Sequence, residues 1–168
     1  MANGALGNPL KKGKSQTITT YLIDPAVTYV SKAGRMVMLK DSPATEQSIV
    51  VLAGGGNEAT LTPHGILTHD LMFNRVDSDA NGVCSVTERG SNIPVQVDGD
   101  ITDLTKGVGF TATGLFCQGD SVSSVGIVAG KFLSTTKGVA LDENGKEVAC
   151  AFLELISPHL PSTAAPAP

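Results

Sequence analysis

Short apolar runs of about four to eight residues, each bounded by glycine, aspartate or asparagine, recur along the chain and predict β-strands. They fall at residues 35–40, 48–53, 65–68, 83–88, 93–97, 107–111, 125–129 and 147–155. An earlier run at 16–23 (QTITTYLI) is rich in β-branched and aromatic residues and is a further strand candidate. Turn chemistry separates the runs: Gly54-Gly55-Gly56, Asn81-Gly82, Asp98-Gly99 and Asn144-Gly145. The stretch 142–146 between apolar segments 138–141 and 147–155 predicts a hairpin. Helical periodicity is weak, with single turns expected at 43–47 and 100–105. The expected fold is mainly β, a small barrel or sandwich of short strands.

The ends differ from the middle. Residues 1–29 read as an extended N-terminal arm with a possible added strand, closed by the Asp24-Pro25 turn. Residues 30–156 form the expected β core domain, and 157–168 (SPHLPSTAAPAP) a flexible Pro/Ala tail. Two segments share a Gly-Ile-aliphatic-small pattern, Gly65-Ile66-Leu67-Thr68 and Gly126-Ile127-Val128-Ala129. A pseudo-symmetric barrel would bury Ile66 and Ile127 in equivalent places.

Composition narrows the function classes. Glycine and proline together make 28 of 168 residues, which favours many turns over a helical bundle. Seven aromatic residues, none of them Trp, predict an aliphatic core. The net charge of −4 leaves one basic cluster, Lys11, Lys12 and Lys14, so direct nucleic-acid binding is not expected. No apolar run reaches the ~18–20 residues of a membrane span, and Met1 to Leu10 lacks the pattern of a secretory signal. Cys84, Cys117 and Cys150 are odd in number and widely spaced, which predicts buried thiols in a reducing compartment.

Candidate chemistry is sparse. Asp77, Asp79, Asn81, Gly82 and Glu88 satisfy the spacing of an EF-hand calcium loop. The exit helix such a loop needs is opposed by Gly90 and Pro94, so a solvated acidic turn leading into a strand is the stronger reading. His64 and His69 are five apart and would point to opposite faces of a strand, and His159 lies in the tail. No nucleophile elbow occurs, and no His or second Cys lies near any cysteine in sequence. Gly54-Gly55-Gly56 lacks the Lys-Ser/Thr ending of a phosphate loop, and Asp98 and Asp100 flank a turn. The expectation is a non-enzyme without catalytic residues, metal or cofactor.

The order of the strands resembles that of bacteriophage head decoration (capsid cement) proteins. The likeness lies in Met36-Val37-Met38-Leu39, then Gly65-Ile66-Leu67-Thr68-His69-Asp70, then Asn81-Gly82-Val83 leading to Pro94-Val95-Gln96-Val97-Asp98-Gly99. Val125 to Val128 and the apolar run Ala149 to Leu155 complete it, over about residues 30–155. Departures are Lys106-Gly107 where such proteins often have Gly-Asp, the long arm and the tail. The resemblance implies a small barrel-like homotrimer, made in the host cytoplasm, that binds the major capsid protein on the outside of the phage head. It would stabilise the shell against internal pressure by bridging coat subunits. Candidate capsid-binding residues are Leu10, Lys11, Lys12, Lys14, Thr17, Thr19 and Tyr21, on an arm that could add a strand to a partner's sheet edge. The alternatives are a calcium-dependent β binding module using loop 77–88, and a small enzyme whose site is assembled from separate strands.

Overall fold

A computed structural model describes residues 6–9, 16–23, 33–39, 49–52, 62–68, 83–135, 139–141 and 145–157. Ten strands occur there: β1 Thr17–Ile23, β2 Met36–Leu39, β3 Ile49–Leu52, β4 Thr62–Leu67, β5 Val83–Gln96, β6 Val108–Phe110, β7 Phe116–Gln118, β8 Gly126–Phe132, β9 Val139–Leu141 and β10 Glu147–Ser157. No helix is found among the described residues. The protein is mainly β, as the short punctuated apolar runs predict.

The strands form one sheet in the order β1-β3-β2-β4-β5-β10-β8-β6-β7, with β9 paired to β10. At one end the ladder returns on itself, because β1 pairs with both β3 and β5. The circuit β1-β3-β2-β4-β5 is therefore barrel-like, while the sheet as a whole remains open toward β7. The β1–β3 pair is parallel and the other strand pairs are antiparallel.

β5 is the spine. Its first half pairs with β1 and β4, and its second half with β10. The pattern predicts two strands here, 83–88 and 93–97, because the polar stretch Arg89-Gly90-Ser91-Asn92 separates the apolar runs. The chain instead stays extended across a bulge: β10 advances two residues from Leu153 to Leu155 while β5 moves three, from Ile93 to Gly90. Asn92 absorbs the extra residue at φ 53°, a left-handed conformation that Asn tolerates. Pro94 has no N–H to donate, yet its carbonyl accepts from Gly7 N at 2.8 Å.

The main core packs β2, β4, the second half of β5, β6, β7, β8 and β10 together through Met36, Met38, Ile66, Ile93, Val95, Leu153 and Leu155. It is less purely aliphatic than the composition predicts, since Phe110, Phe116 and Phe132 are fully buried in it. A second, smaller cluster joins Leu6, Ala33, Ala140 and Cys150. Leu6 thus anchors part of the arm. Around it, Thr87 Oγ1 donates to Gly7 O at 2.7 Å and Asn8 Nδ2 to Thr68 O at 3.1 Å.

Other expectations meet mixed outcomes. The hairpin at 138–155 is present as β9–β10, with Gly145 at φ 74° in its turn. The segment 100–105 is a turn and not a helix: Asp103 Oδ1 accepts from Thr105 N and Thr105 Oγ1, and this local bonding competes with a helical turn. β7 is a strand the pattern does not predict, three residues long between Gly114 and Gly119. Ile66 is completely buried, but Ile127 is 44% exposed, which corrects the expected equivalence of the two Gly-Ile strands. The physical reason is the layer each strand occupies. Ile66 faces the main core, whereas Ile127 opposes Gly109 on the outer side of the β6–β8 pair. The expected turns at 43–47 and at Gly54 to Gly56, and the tail from residue 158, lie outside the described residues.

Candidate functional site

Three polar side chains from three strands of the circuit converge. Tyr21 (β1) donates its hydroxyl to Glu88 Oε1 (β5), and His64 Nε2 (β4) lies 3.2 Å from the same oxygen. The Tyr21 and His64 rings meet edge to face, with centroids 4.5 Å apart. His64 is buried and Glu88 is partly buried.

Strand irregularities build this cluster. Between Ile18 and Thr17, β1 advances one residue while β5 advances two, from Thr87 to Arg89, so Glu88 is the extra residue of a bulge. Between Val37 and Met38, β2 advances one residue while β4 advances two, from Gly65 to Pro63, so His64 is the extra residue of another. A bulge breaks the two-residue alternation of a strand and re-aims the side chain it carries. Two of them here bring an imidazole and a carboxylate onto one side of a tyrosine.

The electrostatics follow from burial. Burial, then the hydrogen bond and the charge of Glu88, push the Tyr21 hydroxyl well above the ordinary phenol range, so it acts as a neutral donor. Cys84, directly opposite Tyr21 in the β1–β5 register, has its thiol pushed up to about 11 by burial. Cys117 and Cys150 are raised too, chiefly by burial. All three cysteines are free and buried, as their apolar sequence surroundings predict.

Two surfaces stand out beside the cluster. β3 reaches only Leu22 and Ile23 of β1, so the edge of Thr17 to Tyr21 facing away from β5 has no strand partner among the described residues. Thr17, Ile18 and Thr20 are exposed there. At the far end of the sheet, Val122, Val125 and Ile127 expose three large apolar side chains within six residues.

Of the sequence-derived candidates, Thr17, Thr19 and Tyr21 lie on β1, with Thr17 exposed and Thr19 and Tyr21 half-buried. Leu10, Lys11, Lys12 and Lys14 lie outside the described residues, as do Asp77, Asp79, Asn81, Gly82, His69 and His159. Glu88, the last residue of the calcium-loop spacing, sits inside β5 with its carboxylate engaged by Tyr21 and His64. The tyrosine–histidine–glutamate cluster is the feature sequence reading misses. Its members are 43 and 24 residues apart in sequence, and no local signal marks a bulge at either one.

Among the described residues, no group of three or more His, Cys, Asp or Glu could hold a metal ion. Comparison with known proteins adds no identity: no family model matches the chain, and no curated protein matches it significantly.

Proposed function

We propose that this chain is a structural protein of a phage head, seated as a trimer on the outer face of the shell, where it bridges subunits of the major capsid protein. The observation that carries this reading is the half-paired β1, whose outer main-chain edge from Thr17 to Tyr21 meets no other described strand and is flanked by exposed Ile18. An edge of this kind can extend a partner's sheet, with main-chain hydrogen bonds supplying affinity and alternate side chains supplying selectivity. The exposed apolar side chains of Val122, Val125 and Ile127 offer a second contact, suited to a neighbouring copy. The order of strands, similar to that of head decoration proteins, points the same way.

The mechanism is linkage and not catalysis. A ligand that binds only the assembled shell lowers the free energy of that state by mass action. Many weak sites on a symmetric surface add through avidity. Pressure from packaged genome would then have to break these bridges as well as the coat's own contacts.

The test is cryo-electron microscopy of expanded heads from the phage that encodes the chain, incubated with the purified protein. Ordered density on the outer surface is expected, with occupancy reduced for Ile18→Glu. Bare shells at saturating protein would overturn the reading.

A further inference from the structure

We propose that Tyr21, His64 and Glu88 form a proton-operated clasp on β1, closed when His64 is protonated and loosened when it is neutral. The proposal does not depend on what the protein binds.

Position is the first reason. β1 is the strand that completes the circuit, and among the described residues the parallel β1–β3 ladder holds it at Leu22 and Ile23 alone. Its attachment therefore depends mainly on the β5 side, where Tyr21 reaches Glu88. Construction is the second. Two bulges each interrupt a ladder, and the residue each adds is a member of the His64–Glu88 pair.

The chemistry supplies the switch. Glu88 Oε1 faces both the Tyr21 hydroxyl and His64 Nε2. An imidazolium with Nε2 3.2 Å from that oxygen forms an ion pair with the carboxylate. A neutral imidazole loses the charge, and in the tautomer protonated at Nδ1 it presents a lone pair to a carboxylate. Two described neighbours are displaced far from neutrality. Tyr21 on β1 stays a neutral phenol, and the Cys84 thiol on β5 ionises only near about 11. Arg89 on β5 is exposed and carries its guanidinium toward solvent. β2 (MVML) and β3 (IVVL) carry no ionisable side chain. Histidine is the side-chain type that ordinarily changes charge between pH 5 and 8, and His64 is the histidine of this cluster.

Hydrogen–deuterium exchange of the full-length protein between pH 5.5 and 8.0, corrected for intrinsic exchange, tests the clasp. Protection of β1 amides should fall severalfold across this range, while β10 amides hold steady. In His64→Gln the β1 profile should be flat. Glu88→Gln, which keeps an acceptor without charge, should flatten it too and serves if the histidine variant does not fold. Identical profiles in wild type and variant, or β1 and β10 changing in parallel, would overturn the proposal.

Discussion

The carbonyl oxygen of Leu67 occupies the space where a β-carbon on Gly7 would begin. Gly7 also sits at φ 75°, where an L side chain is strained. Gly7→Ala should therefore unseat residues 6–9 and remove Leu6 from its cluster, at about 3 kcal/mol or more. In a chain of this length that is a fall in melting temperature of roughly 6–12 °C. Gly145→Ala, at φ 74° with open space around it, should cost only about 1–2 kcal/mol. Calorimetry of the two variants checks the difference. An equal loss in both would mean that the contact with Leu67 adds nothing beyond backbone strain.

Ile66 and Ile127 should part company on substitution. Ile66→Asp places a carboxylate in a site with no exposure and should cost several kcal/mol, enough to prevent folding or lower the melting point sharply. Ile127→Asp, on the outer face, should change stability by no more than about 0.5 kcal/mol. Circular dichroism melts distinguish them, and a severe loss at Ile127 would contradict its position.

Tyr21→Phe removes the hydroxyl donated to Glu88 and leaves a partly buried carboxylate with one partner fewer. The expected loss is about 1–3 kcal/mol, read as a lower urea midpoint at unchanged slope. A midpoint identical to wild type would show that water replaces the hydroxyl without cost.

Alkali should weaken the fold from the same region. Cys84 and Tyr21 both have folded pKa values above their ordinary ones. Their contribution is whole below the ordinary thiol value and is lost as pH rises through that value toward about 11, because the unfolded chain releases these protons first. Urea midpoints measured from pH 8 to 11 should fall. The slope should be smaller in Cys84→Ala, and an unchanged slope there would remove the thiol from the account.

Much of the architecture can be read from residue order, because strand formation in this chain is local. β2, β3, β8 and β10 follow apolar runs closed by turn residues, and the β9–β10 hairpin follows Asn144-Gly145. β5 is harder to read, since Arg89-Gly90-Ser91-Asn92 argues locally for a break. Its continuity depends on β10 pairing alongside and on Pro9 packing where a β-carbon at Gly90 would lie. Leu6 illustrates the same limit: Met1 to Lys14 has no periodicity, yet Ala33, Ala140 and Cys150 give Leu6 a place in the interior. The His64–Glu88 pair is invisible for a related reason. A strand's alternation predicts which way a side chain points only while the register is unbroken, and both residues stand where it slips.

The fourteen residues of β5 run without a gap from the β1–β3–β2–β4 circuit into the ladder with β10. The two ends of the molecule are thus parts of one beam and cannot swivel on a linker. Bending would concentrate between Glu88 and Asn92, where the beam is notched by its bulges, so that short stretch sets how stiffly the two ends are joined.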